Sequence, residues 1–198
     1  MNTAIPVQNL SALLTDVSHC RLCDAHLPMG PRPVVQLAAR ARVLIVGQAP
    51  GRRVHETGIP WNDPSGDRLR QWLGVDREQF YDASRFAIMP MGFCYPGTGK
   101  SGDLPPRKEC APTWHTQLLD QLPDIELILL IGQYAQQYYL PDRALSLTAR
   151  VRQWQQYLPR YLPLPHPSPR NQLWLKKNPW FTETVIPQLQ AAIHRFMQ

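Results

Sequence analysis

The chain has 198 residues and a formal net charge of +6, with a pI of about 9.4. This length allows one sizeable hydrophobic core, so we predict a single domain over residues 1–198. The longest apolar stretch, Leu127–Ile131, is too short to cross a bilayer, and no basic segment followed by an apolar run opens the sequence. We therefore expect no membrane partner and a cytoplasmic location, and the basic charge favours a polyanionic partner. We also expect a monomer.

Predicted strands and helices alternate along the chain. Apolar periodicity predicts helices over 9–17, which we expect Ser11 to cap, and over 68–73, 112–121, 132–140 and 180–197, the last interrupted at Pro187. Short apolar runs predict strands over 43–46, 86–90, 125–131 and 161–164, and residues 34–39 form a short extended piece. Such alternation is typical of helices covering both faces of a parallel sheet. We therefore predict an α/β fold, a three-layer αβα architecture around a central, mostly parallel four-stranded sheet.

One predicted buried strand runs directly into a glycine-rich loop. Val43–Val46 is wholly apolar and is followed by Gly47-Gln48-Ala49-Pro50-Gly51. Glycine at both ends and a proline between them predict a tight turn that brings backbone N–H groups close to a ligand. An ordinary strand-to-loop turn is the alternative, because short glycine-rich motifs are common.

Four cysteines form two pairs, Cys20-x-x-Cys23 and Cys94-x15-Cys110. In a cytoplasmic chain such cysteines are more often reduced or metal-bound than paired in disulfides. Four thiolates can hold a structural zinc ion or an iron–sulfur cluster, and four unrelated buried cysteines are the third interpretation. Because the cysteines are remote in sequence from the glycine-rich loop, we assign a metal centre a structural or loop-ordering role.

A second loop rich in functional side chains lies near the end of the chain. It has the sequence His166-Pro167-Ser168-Pro169-Arg170-Asn171 and follows the predicted strand 161–164. Parallel strands end at the same edge of a sheet, so this loop and the glycine-rich loop are expected to meet there. That edge is where α/β proteins bind their ligands.

Together, the two loops and the four cysteines resemble the uracil-DNA glycosylase superfamily, most closely its iron–sulfur branch, family 4. That branch has a Gly-Glu-Ala-Pro-Gly loop after its first strand, a His-Pro-Ser loop near its end and four cysteines in this order. Gly58-Ile59-Pro60-Trp61 is similar to the family's Gly-x-Pro-Phe, and Leu129–Ala135 resembles one of its strand ends. The resemblance extends over roughly residues 15 to 175.

The resemblance implies a monofunctional DNA glycosylase of base excision repair, which hydrolyses the N-glycosidic bond of uracil or a related deaminated base in DNA. His166 would stabilise the departing base, and Trp61 would stack on it. Ser168 and Arg170 would contact phosphates on either side of the flipped nucleotide. The loop residues expected to line the substrate site are Gly47, Ala49, Pro50 and Gly51. The implied ligands of a [4Fe–4S] cluster, or alternatively of structural zinc, are Cys20, Cys23, Cys94 and Cys110.

Two positions depart from the family pattern. The loop carboxylate is replaced by Gln48, which can orient a water but does not accept its proton at neutral pH. The base-reading asparagine after the second strand is matched by Pro90 or a neighbouring methionine, none of which reads a base. The candidates to stand in are Asp63 or Glu56 for the carboxylate and Asn62 or Asn171 for the amide. Asp63 equally suits a helix cap, since Pro64 follows it.

These departures leave three functional classes open. The first is the glycosylase, acting on uracil or on another deaminated or damaged base. The second is a non-catalytic iron–sulfur protein that shares the fold and binds nucleic acid. The third is an enzyme of the same fold that acts on a nucleotide or another small molecule.

Overall fold

The computed structural model describes residues 9–100, 102–142 and 144–198. Within these residues, four parallel strands form a central sheet in the order β2–β1–β5–β6, which confirms the predicted α/β class. A separate antiparallel hairpin joins β3 to β4. The strands are β1 (Val43–Val46), β2 (Phe86–Ile88), β3 (Thr98–Gly99), β4 (Gly102–Asp103), β5 (Leu127–Ile131) and β6 (Tyr161–Leu164).

Helices of very different length connect the strands. In the described residues the α-helices are α1 (Leu10–Ser18), α2 (Arg52–Thr57), α3 (Pro64–Leu73), α4 (Arg77–Tyr81), α5 (Cys110–Leu119), α6 (Gln133–Tyr139), α7 (Leu147–Arg152), α8 (Gln172–Lys177) and α9 (Ile186–Met197). Short 3₁₀ turns lie at Asp24–His26, Trp154–Tyr157 and Pro169–Asn171, and a π-helical turn at Phe181–Val185 precedes α9. The short helices α2, α4, α7 and α8 were not predicted from the sequence.

The central sheet is buried on both faces. Successive strand residues point to opposite sides, so Val43 and Ile45 enter one core while Leu44 and Val46 enter the other. The first core includes buried residues of α3 and α9, and the second includes those of α1, α5 and α6. This explains why β1 is apolar at every position rather than alternating, and it gives the predicted three layers.

Two local predictions at helix ends need correction, and a third is confirmed. Asn9, rather than Ser11, caps α1, because its side chain accepts a hydrogen bond from the Ala12 N–H at 2.9 Å. The extended piece predicted over 34–39 is present at Gln36, which makes an isolated antiparallel bridge with Ile88. α5 begins at Cys110 and not at Pro112, since proline is tolerated in the first turn of a helix, where its missing N–H is not needed.

The remaining predictions concern the membrane, the domain span and Pro187. Among the residues described, no helix is both long enough and apolar enough to cross a membrane. The single-domain span stays a prediction, and its residues 1–8 lie outside the described ranges. The interruption expected at Pro187 falls at the junction between the π-helical turn and α9, where the first turn accommodates a proline.

Candidate active site

The carboxyl ends of β1 and β6 border a cleft of about 580 Å³. The loop 47–51 follows β1 and the loop 166–171 follows β6, so the parallel sheet brings them together as predicted. The segment before α3 and residues of β4 complete the walls. The predicted site residues that line the cleft are Gly47, Gln48, Ala49, Pro50, Gly51, Trp61, Asp63, His166, Ser168, Arg170 and Asn171.

His166 is held in one orientation by its own loop. Its Nδ1 accepts a hydrogen bond from the Ser168 backbone N–H at 3.2 Å, and its carbonyl accepts one from Asn171 Nδ2 at 2.7 Å. Burial lowers the pKa of the imidazole, against a smaller opposing effect of the Asp63 carboxylate. A neutral ring whose Nδ1 is an acceptor carries its proton on Nε2. The cleft therefore contains a neutral histidine with an N–H at Nε2 to offer to a ligand.

The Trp61 indole forms the wall beside His166, with the two ring centroids 5.6 Å apart. It covers Gly47 so closely that a Cβ there would lie 2.8 Å from its Cζ2. Trp61 has a φ of 56°, a left-handed conformation that is uncommon outside glycine, and a Cβ on Gly66 would overlap its carbonyl. Two glycines thus make room for a strained residue whose aromatic face suits stacking on a planar base.

Asp63 caps α3 and also faces the cleft. Its Oδ1 accepts a hydrogen bond from the Gly66 N–H at 2.8 Å, which confirms the predicted cap. Its Oδ2 lies 4.0 Å from the position that a Cβ on Gly51 would take. One oxygen therefore stabilises the helix, and the other brings negative charge to the glycine-rich loop.

At both positions that depart from the family pattern, Gln48 and Pro90 are hydrogen-bonded to other parts of the protein. Gln48 Nε2 donates to the Leu104 carbonyl at 3.1 Å, which ties the glycine-rich loop to the residue after β4. Pro90 lines the cleft, and its carbonyl lies 3.0 Å from Nε2 of the buried His115. Neither position supplies a carboxylate, and Pro90 has no side-chain group that could hydrogen-bond to a base.

The other proposed stand-ins are engaged by neighbours. Glu56 on α2 forms an exposed ion pair with Arg52 at 2.9 Å, and Asn62 Oδ1 accepts a hydrogen bond from Arg77 at 3.1 Å. Neither is among the described residues that line the cleft. Asn171 does line it, but its amide donates to the His166 carbonyl. The structure therefore brings Asp63 and Asn171 to the cleft and places Glu56 and Asn62 elsewhere.

Sequence reasoning missed Asp103, which lines the cleft from β4. Glycines at positions 97, 99 and 102 are a signal for a turn or loop, but Lys100 and Ser101 lack the pattern that marks a hairpin. Strands of two residues, however, carry no periodicity that reveals them. Only the folded chain shows that this hairpin reaches the carboxyl end of β1.

The four cysteines line a second pocket, which shares no lining residue with the cleft. None of the four forms a disulfide, and the Cys110 sulfur accepts a hydrogen bond from the Phe93 N–H at 3.3 Å. Burial, together with repulsion from neighbouring cysteines, raises the pKa of Cys94 to about 11 and that of Cys110 to about 12. As the described side chains stand, no three or more His, Cys, Asp or Glu form a group that could hold a metal ion. Four cysteines are the right ligands for a thiolate-bound metal centre. To bind one, their side chains would have to move closer to a common point.

Comparison with known proteins agrees with this fold. The family model described as the uracil DNA glycosylase superfamily matches residues 34–190, and the chain belongs to that superfamily. A similar solved structure is the solution NMR structure of a protein from Methanosarcina acetivorans, provisionally named a uracil DNA glycosylase. The two share 15% sequence identity with a TM-score of 0.50, and the match covers 83% of this chain and 96% of that one. At this identity the likeness concerns the fold alone.

Proposed function

We propose that the protein is a monofunctional DNA glycosylase that hydrolyses the N-glycosidic bond of uracil or a related deaminated base. The observation that carries the proposal is His166, a neutral imidazole whose Nδ1 is occupied and whose Nε2–H is available at the cleft. When the bond breaks, negative charge develops on the carbonyl oxygen of the departing base. A fixed N–H donor stabilises that charge more in the transition state than in the bound substrate.

The remaining cleft residues suit a flipped nucleotide. The Trp61 face would stack on the base, which must leave the duplex to reach the cleft. Ser168 and Arg170 lie beside His166 in sequence, at the position where backbone phosphates would enter. The described residues lining the cleft include no lysine, so we assign the reaction to water and not to an amine nucleophile.

Base excision is tested by incubating the purified protein with oligonucleotides that carry uracil, hypoxanthine or xanthine, followed by alkaline cleavage at abasic sites. We expect strand cleavage only after alkali treatment, on at least one of these substrates. Cleavage without alkali would contradict the monofunctional assignment. An undamaged oligonucleotide of the same sequence is the control.

A non-catalytic nucleic-acid-binding protein of this fold is the second candidate, and the Gln48 contact favours it. Glutamine does not accept a proton at neutral pH, and its amide is bonded to Leu104, so the family's carboxylate position supplies no base here. Such a protein would bind DNA with an affinity that falls steeply with salt, but it would release no base. The excision assay therefore separates the two candidates.

Asp63→Asn tests whether Asp63 acts only as a helix cap or also through its negative charge in the cleft. Asparagine caps helices as well as aspartate does, so we expect an unchanged melting temperature. Loss of the charge opposite the developing sugar cation should lower the excision rate at least about tenfold, or about 1.4 kcal/mol. Thermal denaturation and single-turnover kinetics measure the two effects. A fully active variant would limit Asp63 to its role as a cap.

We further propose that the four cysteines hold a [4Fe–4S] cluster, which would place the chain in the iron–sulfur branch of the superfamily. Their shared pocket and the N–H bond to the Cys110 sulfur support this. Each cysteine of such a cluster binds a different iron, so the sulfurs surround a larger centre than one zinc ion. The centre would tie the end of α1 to the segment between Cys94 and Cys110, which carries the β3–β4 hairpin.

Metal analysis of anaerobically purified protein tests the cluster. We expect brown protein with about four irons and a similar amount of acid-labile sulfide per chain. Cys110→Ser should lose most of the iron. Colourless protein with one zinc per chain would replace the cluster by structural zinc, and protein with no metal would reject both.

A further inference from the structure

We propose that Asp103 on β4 is the general base that accepts a proton from the attacking water. This inference rests on the proposed glycosylase function and names the carboxylate that position 48 lacks. Asp103 lines the cleft together with His166 and Trp61. It comes from the hairpin rather than from the glycine-rich loop.

Gln48 holds this hairpin in place. Its Nε2 donates to the carbonyl of Leu104, the residue next to Asp103, across a sequence separation of 56 residues. Glutamine can make this bond and glutamate cannot, because an ionised carboxylate at position 48 would place an oxygen against the Leu104 oxygen. A glutamine in the loop is therefore compatible with a carboxylate supplied from β4.

Asp103 lies beside the glycine-rich loop, and its hairpin is in contact with the His166 loop. Its Oδ2 lies 3.3 Å from the position that a Cβ on Gly51 would take, so a side chain there would crowd the carboxylate. Thr98 Oγ1 lies 3.5 Å from Oδ1, a long hydrogen bond across the hairpin. The Arg170 guanidinium lies against Gly102, where a Cβ would overlap it, and so connects the His166 loop to the same hairpin.

Asp103 and Asp63 have different environments. Asp63 Oδ1 is committed to the Gly66 N–H, whereas Asp103 is bonded to protein only through the long Thr98 contact among the hydrogen bonds described for it. Desolvation raises the pKa of Asp103 and the nearby Asp63 charge adds to this, while Thr98 and Arg170 oppose it. A raised pKa makes a carboxylate a stronger base, and part of the Asp103 side chain remains exposed at the rim, where water can reach it.

In the proposed step, water replaces the base at C1′. The bond between C1′ and the base nitrogen breaks, and its electron pair leaves with the base while His166 donates a hydrogen bond to it. A lone pair of the water oxygen forms the new bond to C1′, and the water loses one proton to the Asp103 carboxylate. That proton then passes to the departing base or to solvent. The products are the free base and an abasic sugar with a hydroxyl at C1′, and Asp103 is regenerated.

The test compares single-turnover excision by the wild-type protein with that by Asp103→Asn on a substrate that the wild type cleaves. Removing a general base should lower the rate about 100-fold. DNA affinity and melting temperature should remain close to wild type, since asparagine keeps an acceptor for Thr98. Asp124→Asn, which removes one exposed charge before β5, is the matched control and should keep the wild-type rate.

Chemical rescue distinguishes a base from a structural carboxylate. In Asp103→Ala, added formate should restore part of the rate, whereas it should not help a His166→Ala variant. An Asp103→Asn variant with wild-type rate would overturn the inference while leaving the glycosylase intact, as would a slow Asp103→Ala variant that formate does not rescue. A wild-type protein that releases no base from any substrate would instead overturn the proposed function itself.

Discussion

Replacing His166 by alanine should lower the excision rate by about 10²- to 10³-fold while leaving DNA binding nearly unchanged. The Nε2–H is the donor that faces the developing negative charge, and loss of one such donor costs about 3–4 kcal/mol in the transition state. The same group contributes little to binding of intact DNA, which depends mainly on phosphate contacts. Single-turnover kinetics and equilibrium binding to the same oligonucleotide measure the two effects.

A surface histidine provides the control for His166. His194 lies exposed on α9, so His194→Ala should keep the wild-type rate. If His166→Ala also kept it, the loop 166–171 would not be the active site. A large loss of DNA affinity in His166→Ala would point instead to collapse of the loop that Ser168 and Asn171 hold together.

Gly66→Ala should be the most destabilising of the small substitutions at the site. A Cβ there would overlap the Trp61 carbonyl, and backbone atoms cannot move aside as a flexible side chain can. We expect a loss of about 3 kcal/mol in the free energy of unfolding, which corresponds to a fall in melting temperature of roughly 6–12 °C for a chain of this size. Excision should fall as well, because Trp61 would be displaced.

The stability part of this prediction is measured by thermal denaturation. Gln71→Ala, on the exposed side of the same helix, is the control and should change the free energy of unfolding by less than about 0.5 kcal/mol. A Gly66→Ala variant as stable as the control would mean that the Trp61 backbone is free to relax. Its left-handed conformation would then have no role in shaping the cleft.

The sequence predicted those parts of the fold that depend on local chemistry. β1 and β5 are apolar at every position because both of their faces are buried, and a continuous apolar run reveals such strands. The loops at Gly47 and His166 could be placed at one edge because they follow parallel strands. The short helices α2, α4, α7 and α8 span too few residues to show a clear period, and packing against the rest of the chain supports them.

The least predictable parts of the site depend on side-chain contacts that form only in the folded chain. Glu56 was a reasonable candidate by position, but it pairs with Arg52 one helical turn away on α2. Asp103 was not predicted, because the hairpin that carries it reaches the cleft through contacts such as the bond from Gln48 to Leu104. The same bond gives Gln48 a structural role that residue type alone did not indicate.

Direct detection of the released base is the measurement that tests the glycosylase assignment most closely. Mass spectrometry of the small-molecule fraction, after reaction with an oligonucleotide carrying a single deaminated base, reports the product without any strand-cleavage step. We predict one free base for each abasic site formed with the wild-type protein, and almost none with His166→Ala over the same time. A folded protein that binds the oligonucleotide but releases no base, on uracil, hypoxanthine and xanthine alike, would contradict the assignment.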